Sequence, residues 1–234
     1  MNASAWLLTV TAISCSPGSD RPPGGDYARE REVMVEEQIA AREVRDARTL
    51  AAMRKVPRHL FVPAASVREA YEDHPLPIGH GQTISQPYIV GFMTEALGLK
   101  GGDTVLEVGT GSGYQAAVLG EIAARVYTIE IVAPLAEEAA ERLHRLGYAN
   151  VHVRAGDGYL GWPEAAPFDA IMVTAAAPRI PEPLKAQLRD GGRLILPVGD
   201  EYQELIVVTR RGTSFEERRV LPVRFVPMTG KVRQ

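Results

Sequence analysis

The chain has 234 residues, 45% hydrophobic and 24% charged, enough to bury one full core, so a single catalytic domain with small additions is expected. A formal net charge of −3 lacks the global basic field that a nucleic-acid binder would carry, so no nucleic-acid partner is expected. The single cysteine, Cys15, lies ahead of the expected folded region, which excludes disulfides, a cysteine metal site and a cysteine nucleophile in the core.

Residues 1–28 read as a leader. Ala5–Ile13 is a short apolar run and Ala12-Ile13-Ser14-Cys15 resembles a lipoprotein cleavage box, but no Lys or Arg precedes the run, as export requires. Ser16–Gly25 has the composition of a flexible tether. The expectation is a disordered extension on a cytoplasmic protein, or translation starting near Met34. The alternative is export or lipid anchoring through Cys15. No apolar run approaches the roughly 18 residues that span a bilayer.

The domain is expected over 29–234. Arg29–Ala41 and Asp46–Met53 place apolar residues at helical spacing, and Pro57 ends that region. Asp73–Gly81, dense in Pro, Gly and His, predicts a loop, and Gln86–Leu97 a helix with Pro87 in its first turn. From Val105 onward strands and helices alternate. An apolar strand meets a glycine-rich turn, and Gln115–Ala124 is helical. Strand Arg125–Glu130, helix Pro134–Leu146 and strand Val151–Arg154 follow, then the loop Ala155–Pro167 and the buried strand Phe168–Thr174. A short helix, Pro183–Leu188, precedes strand Arg193–Pro197 and a hairpin of Glu204–Arg210 with Glu217–Val223 about Gly212. This pattern predicts an α/β fold with a mostly parallel sheet and helices on both faces. Arg210-Arg211 and Arg218-Arg219 fall on the hairpin and read as its solvated face.

The turn Glu107-Val-Gly109-Thr-Gly111-Ser-Gly113-Tyr114 is the strongest chemical signal. A dinucleotide corner spaces its glycines G-x-G-x-x-G. Here the third glycine comes one residue early, and a carboxylate, Glu107, stands in the strand end. That carboxylate would repel a pyrophosphate but suits an ammonium or a nearby sulfonium. This form resembles the first motif of S-adenosylmethionine-dependent methyltransferases. Glu130 ends the next strand, where a carboxylate can accept from both ribose hydroxyls. Asp157, between Gly156 and Gly158 after the third strand, can accept from an adenine amino group or form an Asx turn.

A second segment, Pro75-Leu-Pro-Ile-Gly-His-Gly-Gln-Thr-Ile-Ser-Gln-Pro-Tyr88, is long and polar, as functional loops are. Together with Leu106–Tyr114, Phe168–Pro178 and Arg224-Phe-Val-Pro227, it closely resembles the protein-L-isoaspartate (D-aspartate) O-methyltransferase family over about residues 29–234. The resemblance implies a Rossmann-like methyltransferase sheet with extra N-terminal helices and a C-terminal β portion. It implies transfer of a methyl group from S-adenosylmethionine to the carboxylate of isoaspartyl and D-aspartyl residues in damaged proteins and peptides. It also implies that Ser85 is the active-site serine and that Glu107, Gly109, Gly111, Gly113, Glu130 and Asp157 bind the cofactor, with no metal. Thr83 and Gln82 either contact substrate or pack the loop, and His80 either touches substrate or caps the loop. His59 and His74 lack ligand-like spacing. Main-chain groups around Val226 either pair with an extended substrate or form an ordinary sheet edge. A monomer is expected.

Alternatives remain. A nucleic-acid amine methyltransferase would need an aromatic–proline motif such as N-P-P-Y after the fourth strand, where this chain reads Thr174-Ala-Ala-Ala-Pro178. An O-methyltransferase of small carboxylates and a non-catalytic adenosylmethionine-binding module are the others.

Overall fold

The computed structural model describes residues 26–233. The readings of the leader up to Gly25 and of Cys15 lie outside the described residues. Folded structure begins slightly before the expected boundary. Asp26 caps helix α1 (Tyr27–Val33) by accepting from the Arg29 N–H at 3.1 Å. The helix widens into a π-helical stretch, Met34–Ala40. Helix α2 (Ala47–Lys55) is capped by Asp46, which accepts from the Thr49 N–H at 2.9 Å. Two 3₁₀ turns, Arg58–Phe61 and Ala64–Glu69, lead to the next segment.

That segment corrects the loop expected over Asp73–Gly81. Strands β1 (Leu76–Gly79) and β2 (Gln82–Ile84) form an antiparallel hairpin. His80 and Gly81 take φ of 52° and 70°, the two left-handed positions that a two-residue turn demands. The alternation that overrides the loop signal is Leu76, Ile78 and Ile84, all buried in the helical core.

Helix α3 (Pro87–Leu97) ends at left-handed Gly98. Then come β3 (Thr104–Val108), α4 (Tyr114–Gly120), β4 (Arg125–Glu130), α5 (Ala133–Arg145), β5 (Val151–Ala155), β6 (Phe168–Val173), α6 (Glu182–Ala186), β7 (Leu188–Val198), β8 (Gln203–Arg211) and β9 (Ser214–Val223). Helix α6 stops before Leu188, against the expectation of helix to that residue. Leu188 is fully buried and pairs with Phe168, so β7 starts five residues earlier than the apolar run from Arg193 suggested.

The seven-stranded sheet runs β5-β4-β3-β6-β7-β8-β9. Its first five strands are parallel, and β8 and β9 return antiparallel. Successive residues of β3 face opposite sides: Val105 packs in one core and Leu106 in the other. Both faces are covered, unevenly. Residues of α1 to α5 with the π-helical stretch crowd one side, while α6 and the C-terminal residues Met228 and Val232 cover the other. Strand β3 pairs with β4 on one side and β6 on the other. Such a switch point opens a crevice at the carboxyl ends of the strands, and the glycine turn lies in it. Among the described residues no helix is long and apolar enough to cross a membrane.

Candidate active site

The turn after β3 is pinned from both neighbouring strands. The Gly109 N–H donates to the Ile129 carbonyl at 2.8 Å, and the Thr174 hydroxyl donates to the Gly109 carbonyl at 2.6 Å. Gly109 sits at φ +100°, and a Cβ there would lie 2.3 Å from Thr174 Oγ1, so no other residue fits. Gly111 donates its N–H to Glu130 Oε2 at 2.8 Å, and the Val132 N–H donates to Glu130 Oε1 at 3.0 Å. Gly113 departs from the expectation that all three glycines face a ligand. It caps α4, and a Cβ on it would come 3.1 Å from Leu143 Cδ1, so its bareness serves the packing of α5.

Gly109, Gly111 and Glu130 line a cavity that is partly open to solvent. Val108, Ile129, Ile131 and Met228 supply apolar wall. Each Glu130 oxygen accepts one main-chain hydrogen bond and keeps a further lone pair for a hydroxyl donor. Bare backbone, an apolar wall and an acceptor carboxylate fit an adenosyl group.

Glu107 is placed otherwise than expected. It is fully buried beneath the turn, outside the wall of this cavity. The Thr128 hydroxyl donates to Glu107 Oε2 at 2.6 Å, Thr128 and Thr110 hydroxyls meet at 2.7 Å, and among the described residues Glu107 Oε1 has no partner. Burial pushes the carboxyl up to about 8. It therefore props the turn through the two threonines and offers no surface charge to a sulfonium. A pH effect follows. The unfolded carboxyl ionises near 4.5, while the folded one holds its proton to about 8. Between those values unfolding releases a proton, so this group lowers stability progressively as pH rises from about 4.5 to about 8. Glu107→Gln removes the penalty. Its melting temperature should match the parent's near pH 4.5 and exceed it by several degrees at pH 8; identical curves at both pH values would refute this.

Asp157 is absent from the wall of this cavity. Its Oδ1 accepts from the Tyr159 N–H at 2.9 Å and its Oδ2 from the Lys231 N–H at 2.8 Å. The carboxylate thus forms the Asx turn and ties down the C-terminal segment, and the neighbouring Gly158 lines the cavity instead.

The hairpin supplies the other half of the site. Ser85 follows β2, half-buried, and among the described residues none hydrogen-bonds its hydroxyl. It lines a second cavity of about 300 Å³, walled by Ile89 of α3 and by the strip Pro222–Val226. Thr83 and Thr174 line both cavities, so the two spaces meet beside Ser85. A narrow crevice over Gly109, Gly111 and Ser85 joins them from the helical side. Asp73 closes the base of the hairpin. Its carboxylate accepts from Gln86 Nε2 at 2.8 Å, from the Tyr88 N–H at 3.2 Å and from Arg42 at 3.2 Å, and Arg42 lies 3.4 Å over the Tyr88 ring.

Around Val226 the main chain is partly committed. The Ala176 N–H donates to the Val226 carbonyl at 2.8 Å. The Gln203 amide holds Phe225 from both sides, accepting its N–H at 2.6 Å and donating to its carbonyl at 3.1 Å. Gln82 lines the first cavity. His80 is exposed at the hairpin tip. His59 is structural: it stacks on Tyr27 at 4.1 Å and shares a 2.7 Å hydrogen bond with the Tyr71 hydroxyl.

Thr174, Asp73 and Gln86 were missed in the sequence. Only Thr174 left a signal there, as a hydroxyl at the carboxyl end of the strand beside the switch point.

Comparison with known proteins agrees with this geometry. The family model described as Protein-L-isoaspartate(D-aspartate) O-methyltransferase matches residues 29–233. The chain is 57% identical over 213 residues to Protein-L-isoaspartate O-methyltransferase 2 of Shewanella sediminis, covering 89% of this chain and 87% of that one. It is 60% identical over 202 residues to the Protein-L-isoaspartate O-methyltransferase of Opitutus terrae, covering 86% and 87%. Among solved structures, a protein-L-isoaspartate O-methyltransferase superposes with TM-score 0.79 at 28% identity over 88% of this chain and 67% of that one. A putative homologue from Plasmodium falciparum, in complex with S-adenosyl-L-homocysteine, gives TM-score 0.74 at 26% identity, covering 85% and 98%. With matches of this extent, the chain belongs to the protein-L-isoaspartate(D-aspartate) O-methyltransferase family.

Proposed function

We infer that this protein is a repair methyltransferase. It moves a methyl group from S-adenosylmethionine to the free carboxylate of L-isoaspartyl and D-aspartyl residues in damaged proteins and peptides, giving a methyl ester that cyclises to a succinimide. The observation that carries this reading is the junction of the two cavities at Thr83 and Thr174, next to Ser85. Group transfer needs donor and acceptor held side by side, and this junction suits both.

When bound, S-adenosylmethionine supplies an electrophilic methyl group on a sulfonium. The residues of the chain bind, orient and desolvate. Gly109 and Gly111 would present bare backbone to the donor, and Glu130 would accept from its ribose. Ser85 donates a hydrogen bond that orients the acceptor carboxylate, with Thr83 and the Val226 N–H as further contacts. A carboxylate is ionised at neutral pH, so no general base is required. The half-buried surroundings of Ser85 would favour the cancellation of opposite charges that methyl transfer brings. Glu107, Gly113 and Asp157 serve the cofactor site at one remove, as props of the turn, of helix packing and of the C-terminal segment.

This reading takes 29–234 as the catalytic domain and the enzyme as a cytoplasmic monomer. The supply of S-adenosylmethionine in the cytosol supports the compartment, and a lipidated Cys15 in the mature chain would overturn it. The activity is tested with labelled S-adenosylmethionine, an isoaspartyl peptide and its normal aspartyl twin. Base-labile label on the isoaspartyl peptide alone is expected. Label on both peptides or on neither refutes the assignment.

A further inference from the structure

The wall of the acceptor cavity carries one charged side chain. Its polar lining is otherwise neutral, from Thr83, Ser85, Gln86 and Thr174, and the exception is Arg224. Arg224 is exposed and makes no hydrogen bond or ion pair among the described residues. Nearby cations are already matched: Arg42 pairs with Asp73, and Arg219 pairs with Glu204. The strip bearing Arg224 is held in place on its C-terminal side by Gln203 on Phe225 and by Ala176 on Val226. The opposite wall adds no free charge: Ile89 of α3 lines the cavity, and the start of that helix is already met by the Asp73 carboxylate, which accepts from the Tyr88 N–H at 3.2 Å.

Two positions for an anion differ in depth. Ser85 is half-buried at the junction with the donor cavity, where the reacting carboxylate belongs. Arg224 is exposed, at the mouth. A guanidinium paired with the nucleophile itself would also stabilise its charge and slow attack.

Resting on the proposed repair activity, we propose that Arg224 is a specificity-determining residue that selects isoaspartyl peptides bearing a second carboxylate close to the damaged residue. That carboxylate is either an acidic side chain or the peptide's own C-terminus. Basic neighbours are disfavoured by the same charge.

The test uses the full chain and four short isoaspartyl peptides of otherwise identical sequence. Three are C-terminally amidated and carry Glu, Gln or Lys after the isoaspartyl residue; the fourth carries Gln and a free C-terminus. The parent enzyme should rank kcat/KM as Glu above Gln above Lys, with steps of about two- to fivefold at low salt that shrink at high salt. Arg224→Gln should level the ranking, and Arg224→Glu should invert it. Arg218→Gln, an exposed charge outside the cavity, should preserve it. The fourth peptide identifies the source. A gain over its amidated twin assigns the C-terminal carboxylate, and a gain confined to Glu assigns the side chain. A flat ranking in the parent, an unchanged ranking in Arg224→Gln, or an equal loss on all four peptides overturns the proposal while leaving the repair activity standing. Failure of the parent to methylate any of the four overturns the activity itself.

Discussion

Replacing Ser85 with alanine should lower kcat for an isoaspartyl peptide about 100-fold, the scale associated with a misplaced reacting group. Affinity for S-adenosylhomocysteine should stay within about twofold, because Ser85 is not part of the cavity wall formed by Glu130 and Val108. Stability should hardly change. No described residue hydrogen-bonds the hydroxyl, so its loss orphans no buried partner, and surface-like substitutions stay within roughly 0.5 kcal/mol. Three readouts together separate a clamp on substrate from a structural serine. Single-turnover kinetics, isothermal titration with S-adenosylhomocysteine and thermal melting supply them. Unchanged turnover in Ser85→Ala would remove the serine from the mechanism. A collapse of cofactor affinity would move it to the donor side.

Glu130→Ala should act in the opposite sense. The carboxylate accepts from Gly111 and Val132 main-chain N–H groups and offers its remaining lone pairs to a ribose. Hydrogen bonds to a charged group contribute about 1.5–3 kcal/mol each, so losing two to a ligand should weaken cofactor binding by about 100-fold or more. The Gly111 and Val132 N–H groups also lose their acceptor, so the melting temperature should fall by several degrees. At saturating S-adenosylmethionine kcat should recover most of its value, since Glu130 does not border the acceptor cavity. Glu130→Gln keeps one acceptor oxygen and should fall between. A Kd within twofold of the parent in Glu130→Ala would refute the ribose role and leave Glu130 as a brace for the turn.

Much of this architecture was legible before any coordinates. Alternating strands and helices from Val105 predicted a mostly parallel sheet, and the glycine turn predicted the corner at its switch point. Both follow from local rules, because an apolar strand feeding a bare turn and a helix start has few ways to fold. Ser85 was legible through the resemblance of its loop. The hairpin in that loop was not. Its Pro, Gly and His content masked the alternation of Leu76, Ile78 and Ile84, which matters only when a core exists to receive it. Leu188 misled for the same reason: its partner Phe168 lies 20 positions away in the chain.

The site shows the same division more sharply. The sequence by itself determined the kinds of group available: bare backbone at Gly109 and Gly111, a strand-end carboxylate at Glu130, a hydroxyl at Ser85. Tertiary structure alone decided which of them meet a cavity. Glu107 and Asp157 are carboxylates at strand ends like Glu130. One is sealed under the turn by Thr128, and the other, bonded to the main chain of Tyr159 and Lys231, is absent from the cavity wall that Glu130 lines. Thr174 and Arg224 gained their places through contacts with segments far away in the chain. A residue's type and spacing set what chemistry it can perform. Its burial and its hydrogen-bond partners come from segments distant in the chain, and only the packed fold brings those together.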